Sequence, residues 1–300
     1  MYNALAPAPN AIRHGPAVVH LLEQVVGGDG FEDSGAAADA SGSWPMHLRT
    51  GPMAPVGRPM RIALLFVLLL LKADCLRAQP MQPRPLAALI NTQDPGWQLV
   101  QEWIAAAKNK VQVLPKTAAR ADSALLAAQV TTRSPMGAVV YETGGILVDN
   151  GWLRIIGSGS PGLNRDLMGW NKDKQQGLLL VADDALGGFF ALNGGAFGQA
   201  TLGKIYYLAP ENLEWQPLEK GYSDFLVFCF SGDLNKFYDK LRWKNRQQAI
   251  AQLDGNQGIR FYPFLFTKEG KNLNKAVRKP VPVQELWLFS NDMRQQLGIR

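Results

Sequence analysis

Histidine is nearly absent from the part of this sequence able to fold. The three histidines, His14, His20 and His47, all precede residue 60, and the apolar-rich stretch from Pro80 onward has none. That excludes Ser-His and Cys-His catalysis, histidine-ligated zinc and the usual general base near neutral pH. Chemistry would fall to carboxylates, lysine, tyrosine or arginine. Cysteine is as scarce. Cys75 lies in the leader region, and Cys229 lies inside Phe225-Leu-Val-Phe-Cys-Phe230, the setting of a small core residue rather than a nucleophile. Once the leader is removed, no disulfide can form within the chain. No metal and no cofactor is expected, so the residues argue against an enzyme.

Long hydrophobic runs are missing too, with one exception. Met60-Arg61 is followed by ten apolar residues, Ile62 to Leu71, and then by Leu76-Arg77-Ala78-Gln79-Pro80. A ten-residue helix covers about 15 Å of a hydrocarbon layer about 30 Å thick, so the run has the shape of a signal peptide rather than a span. Residues 60–78 are read as that signal, cleaved after Ala78. Lipoprotein processing at Cys75 is disfavoured by Asp74 and Lys72. The predicted location is periplasmic or secreted, with no stable transmembrane span after cleavage. Residues 1–59, rich in Ala, Gly, Pro and Ser, show no periodicity able to close a core and are read as a disordered leader. A signal beginning at residue 60 predicts that translation starts at Met60. The alternative is a genuine extension with the apolar run as an anchor.

What remains is ample for a core, since 47% of the chain is hydrophobic and 19% charged. The net charge is +6, and residues 1–78 hold equal numbers of acidic and basic residues, so the whole excess belongs to residues 79–300. The basic residues are scattered, concentrating only around Lys236 to Arg246 and Lys268 to Lys279. That distribution argues against nucleic acid and suits an acidic protein partner.

The centre of the chain is Leu178 to Ala182 and Phe189 to Leu192, two apolar runs of strand length separated by Asp183, Asp184 and Gly187-Gly188, which read as a turn. Asp94-Pro95-Gly96 opens a helix, Ala118 to Val130 forms a second, and Ser134-Pro135 stops it. Ala138 to Tyr141 reads as the start of the strand-rich middle. Strands flank Asp149-Asn150-Gly151, a strong hairpin signal. Gly157-Ser-Gly-Ser-Pro-Gly162 lacks the lysine and long helix of a phosphate loop and reads as a turn. Lys204 to Leu208 and a short edge strand at Leu213 to Trp215 follow. Tyr222 to Phe230 is a buried helix or strand. Asp233 to Trp243 and Asn245 to Leu253 read as helices, Pro280 and Pro282 enforce an extended segment, and Glu285 to Phe289 and Asn291 to Leu297 close the chain. The fold class is α+β, a mostly antiparallel central sheet flanked by helices in a single domain over residues 79–300.

Val148-Asp-Asn-Gly-Trp-Leu-Arg-Ile-Ile-Gly-Ser-Gly159, Trp170-Asn171, Val181 to Asn193, Tyr206-Tyr207-Leu-Ala-Pro210 with Leu213-Glu-Trp215, and Phe237-Tyr238 before Arg242-Trp243 together resemble a bacterial domain-of-unknown-function family, number 2625. It is similar to the SUKH superfamily, whose α+β domains include immunity proteins that bind toxins. The resemblance implies a SUKH-like fold and toxin binding, and it supplies no catalytic residue.

The candidate partner-binding residues are Arg154, Arg165, Trp170, Asn171, Asp183 and Asp184. Adjacent residues of an extended chain face opposite ways, so Asp183 and Asp184 are not expected to act on one atom. Arg154 and Arg165 are expected to pair within the fold, with Glu142 and Asp149 as acids, and Trp170 with Asn171 to be exposed in a loop. The function expected is that of an exported non-enzymatic protein-binding domain. The alternative is a hydrolase of envelope glycans using Asp183, Asp184 or Glu142, which would need two carboxyls about 5 to 10 Å apart in a cleft.

Overall fold

A computed structural model describes residues 82–299. The leader and the segment read as a signal peptide lie outside the described residues, and so do the expectations attached to them. Among the described residues no helix is long and apolar enough to cross a membrane.

The first described elements are α1 (Leu86–Leu89) and α2 (Gly96–Ala105). Pro95 fixes the extended entry to α2 as expected, and the Gly96 N–H donates to the Thr132 carbonyl at 2.9 Å. A β-carbon there would stand 2.4 Å from the Arg133 carbonyl oxygen, so only glycine permits this approach. β1 (Val111–Leu114) is a four-residue edge strand too short to stand out by its pattern, and α3 (Ala118–Ala128) follows. Ser134-Pro135, read as a stop, is also a start. The Ser134 hydroxyl accepts from the Gly137 N–H at 3.1 Å and Pro135 takes the first helical position, so Ala138 to Tyr141 lies in α4 (Pro135–Glu142), not in a strand.

The hairpin of β2 (Gly145–Val148) and β3 (Leu153–Ile156) is as expected, with Asp149, Asn150 and Gly151 all at positive φ. After α5 (Leu167–Asn171) come β4 (Leu178–Asp184), β5 (Phe189–Asn193), β6 (Ile205–Ala209) and the edge strand β7 (Glu214–Pro217). Next are α6 (Tyr222–Ser231), α7 (Leu234–Phe237) and α8 (Arg246–Ala251). The helix expected over Asp233 to Trp243 breaks at Tyr238, whose fully buried ring packs 5.4 Å from Trp152 and 4.7 Å from Phe237. Packing of that ring overrides local propensity. The last described elements are β8 (Gln257–Tyr262), β9 (Val277–Pro282) and α9 (Val283–Gln296), and α9 joins the segments Glu285 to Phe289 and Asn291 to Leu297 into one helix because Ser290 continues its buried face.

β1 to β7 form one antiparallel sheet in sequence order, and β8 pairs with β9 in a second, two-stranded sheet. This α+β domain has nine helices among the described residues. β4 and β5 are buried at every position, which requires cover on both faces. Phe189 meets Trp287 of α9 at 5.0 Å, whereas Phe190 meets Phe225 of α6 at 5.0 Å and stacks on Tyr207 at 4.6 Å. Successive side chains thus enter two different aromatic layers. Cys229 lies fully buried in α6, its thiol pushed up by burial.

Candidate functional site

The two aspartates expected in the turn belong to β4, and the turn proper begins at Ala185. The register pairs Asp183 with Arg154 on one side and Phe189 on the other, and it puts Asp184 on the opposite face with Phe190 and Tyr207. Both carboxylates are fully buried. The expectation that they face opposite ways holds, while their expected exposure as turn residues does not.

Asp183 is the centre of an ion triad. Its Oδ1 accepts from Arg154 Nε at 2.6 Å, with the Arg154 Nη2 at 2.5 Å as an ion-pair contact, and its Oδ2 accepts from Arg165 Nη1. Arg154 also donates to the carbonyls of Asp184, at 2.7 Å, and Gln257, and Arg165 donates to that of Gly255 at 2.8 Å. Two guanidiniums therefore fasten the centre of the large sheet to the turn that leads into β8. The internal pairing expected of both arginines is found, but the acid is Asp183. Glu142 is held by Lys116 at 2.7 Å and Asp149 by Arg242 at 2.9 Å. Residues 154 and 183 are far apart in sequence, so only the strand register could have disclosed the pair.

One carboxylate between two guanidiniums leaves a net positive charge. Arg165 is pulled below its ordinary range by burial, opposed by Asp183. Its guanidinium carbon lies 4.7 Å from the centre of the Trp170 ring, and the Lys174 ammonium lies 3.8 Å from the same ring while donating to the Trp170 carbonyl. Burial first, then repulsion from Arg165, brings Lys174 down to about 8. Trp170, expected at the surface, is buried in α5 between these two cations, of which Lys174 reaches it from beyond the end of the helix at Asn171.

Asn171 has a backbone role. Its carbonyl oxygen accepts from the Leu180 N–H at 2.7 Å and its amide donates to the Leu180 carbonyl at 2.8 Å. Pairing of β3 with β4 stops at Ala182, beside a bulge, and a side-chain amide supplies both groups that a further strand residue would have offered.

On the opposite face the Asp184 carboxylate accepts from the N–H groups of Leu186 at 2.8 Å and Gly188 at 2.9 Å, and from the Tyr207 hydroxyl at 2.8 Å. Burial raises its pKa despite these three bonds and the more distant Arg154. The tyrosines respond in kind, because burial and then the Asp184 charge push Tyr207 and Tyr238 up. Gly187 has φ of 85°, and a β-carbon on Gly188 would lie 2.2 Å from Asp184 Oδ2 and 2.5 Å from the Tyr207 hydroxyl. The glycine pair thus both turns the chain and makes room for the carboxylate. From sequence, the pairs Tyr206-Tyr207 and Phe237-Tyr238 carry only the family resemblance, since adjacent aromatics do not reveal which one meets a carboxylate.

The six candidate residues converge on β4, yet they divide between two faces of the sheet and engage one another or the backbone. Beside α3 and α5 runs an open groove of about 630 Å³, lined by Arg120, Ser123, Ser158, Asp166 and Lys172 among others. Arg120 is committed there to the carbonyls of Ser158, at 3.2 Å, and Asn164, at 2.6 Å. Among the described residues no cluster of acidic or cysteine side chains is arranged to hold a metal.

These features define an α+β domain built on a seven-stranded antiparallel meander and tied through its centre by a buried Arg-Asp-Arg triad. The chain belongs to the family described as protein of unknown function DUF2625, whose model matches residues 86–286. It is 42% identical over 215 residues to the putative uncharacterized protein YbfG of Escherichia coli strain K12, covering 71% of this chain and 98% of that protein. It is 46% identical over 187 residues to an uncharacterized protein of Haemophilus influenzae strain Rd, covering 60% of this chain and 82% of the relative. Both relatives are uncharacterised, so the matches establish the family and assign no activity.

Proposed function

We propose that the protein is an exported, non-enzymatic protein-binding domain whose partner is acidic, in the manner of a SUKH-type immunity protein engaging a toxin. The observation that carries this reading is the engagement of the groups able to do chemistry. Asp183 lies between two arginines, Asp184 accepts three hydrogen bonds in the core, Glu142 is paired with Lys116, and Cys229 is buried. Two glycosidase carboxyls need a shared cleft with room for sugar and water, and Asp183 and Asp184 are buried on opposite faces. The net charge of +6, by contrast, favours encounter with an acidic surface. Residues 60–78 support export, so the partner would be met in the envelope or outside the cell.

The test is expression of the tagged full chain in its own cells, followed by fractionation and chemical crosslinking. A protein found beyond the inner membrane, in a stoichiometric crosslink to an acidic protein, is expected. A chain retained in the cytoplasm removes export from the reading, and an exported chain that hydrolyses purified envelope glycan removes the binding role.

A further inference from the structure

β9 lies at the edge of the two-stranded sheet, where another strand could in principle add, yet its backbone forbids it. In an antiparallel pair the N–H and C=O of one residue point to the same side. The Ile259 N–H donates to the Ala185 carbonyl at 2.7 Å, away from β9, so Pro280, its partner across the pair, also faces away from β8. The same alternation turns Arg278 and Pro282 outward. Two of these three outward positions are proline and offer no donor, which blocks strand addition. Recognition on this edge must run through side chains.

Those side chains are basic and apolar. Lys268, Lys271, Lys275 and Lys279 are all exposed, with Glu269 the one acid between residues 268 and 279, and none of the four forms an ion pair among the described residues, while Arg278, opposite buried Phe261, turns to the other face and donates to the Leu273 carbonyl at 2.6 Å. Lys279 stands directly opposite Arg260, and like charges so placed repel. Glu285 neutralises Arg260 at 2.7 Å and leaves Lys279 uncompensated. On the same face of the hairpin, Tyr262 and Val277 are cross-strand partners and are 66% and 67% exposed. The Tyr262 ring lies 6.0 Å from Phe264, which packs at 5.5 Å on Phe266 and 4.8 Å on Phe289. Those three phenyl rings help to line an apolar pocket of about 30 Å³ together with Pro210, Leu213 and Leu286.

We infer that this face binds an acidic segment of a partner protein, with carboxylates on Lys268, Lys271, Lys275 and Lys279 and one apolar side chain on Tyr262 and the phenylalanine pocket. The inference rests on the acidic-partner reading and gives it a place. A protein segment suits the site better than a membrane does, because the phenyl rings are half-buried around a cavity that accepts a side-chain tip and not an acyl chain.

The experiment follows the fluorescence anisotropy of a fluorescein-labelled peptide of alternating glutamate and serine with one central leucine, mixed with the full chain. The unaltered protein and a Lys108→Glu control should bind alike. Lys275→Glu combined with Lys279→Glu should weaken binding at least tenfold at an unchanged melting temperature, and Tyr262→Ala should weaken it severalfold. Replacing the peptide's leucine by serine should cost severalfold too. Affinity indifferent to that leucine overturns the pocket. Binding that survives the double charge reversal overturns the placement and leaves the acidic-partner reading in force, whereas a wild-type chain that ignores the peptide overturns both. Tighter binding to phosphatidylglycerol vesicles or to a single-stranded oligonucleotide than to the peptide assigns the face to a membrane or a nucleic acid and overturns the inference.

Discussion

Asp183 and Asp184 are neighbours in sequence and equally buried, but they occupy two electrostatic regimes. Asp183 sits between two guanidiniums on the face covered by α9, in a group whose net charge is positive. Asp184 sits on the α6 face among Tyr207, Tyr238 and Phe190, held directly by two backbone N–H groups and one hydroxyl. The first arrangement joins distant parts of the chain, because its arginines also bind the carbonyls of Gly255 and Gln257. The second is local and shapes the turn from Ala185 to Gly188. One residue type thus performs two jobs, and the pleat of β4 decides which.

The largest effect should come from the charged face. Asp183→Ala strips the counter-ion from two buried guanidiniums, and removing one partner of a buried pair costs about 3–5 kcal/mol. With two cations exposed to each other, a loss of about 5 kcal/mol in urea unfolding is expected. A loss under about 1 kcal/mol would mean that water solvates the triad and that it does not fasten the sheet to the β8 turn.

The aromatic face should respond next. Phe190 is fully buried and touches Tyr207, Phe225 and Phe237, so Phe190→Ala should cost about 3–4 kcal/mol by lost burial and cavity formation. Calorimetric melting of the variant checks it. A melting temperature equal to that of the wild type would remove β4 and β5 from the centre of the fold.

The sequence disclosed this centre because its signals are local. Two apolar runs, an Asn-Gly turn and a proline-marked extended segment at Pro280 and Pro282 each carry their own pattern, and they produced the α+β class, the β2–β3 hairpin and the buried Cys229. The site was less legible. Asp183 and Asp184 read as turn formers because a strand was not expected to end in two buried charges, and what makes that possible is Arg154 and Arg165, brought in by register and by the loop before α5. Trp170 likewise reads as exposed because Gly169 and Lys172 suggest a loop around it, whereas Arg165 and Lys174 cover it. Ser134-Pro135 carried two meanings, a stop for α3 and a cap for α4, of which only the first is visible without the Gly137 N–H in place.

The smallest effect is also the one that separates the two aspartates most directly. Asp184→Asn keeps an oxygen for the Leu186 and Gly188 N–H groups and changes the partner of Tyr207, so it should shift stability at neutral pH by only about 1 kcal/mol. Its pH dependence is the sharper reading. Burial raises the Asp184 pKa in the folded chain, so the folded state holds the proton more tightly than the unfolded state, whose value is about 3.9. The stability this carboxyl contributes is then fully present below about pH 3.9 and is lost as pH rises through the folded value, at a slope of at most about 1.4 kcal/mol per pH unit. Asparagine does not titrate. The wild type should therefore be strongest relative to Asp184→Asn at low pH and should lose ground as pH increases, and urea midpoints of both proteins measured from pH 3.5 to pH 8 would show it, the other groups cancelling between them. A wild type that gains on the asparagine variant as pH rises would show that the core favours the Asp184 anion, and the contrast between the two faces of β4 would then be one of partners but not of charge.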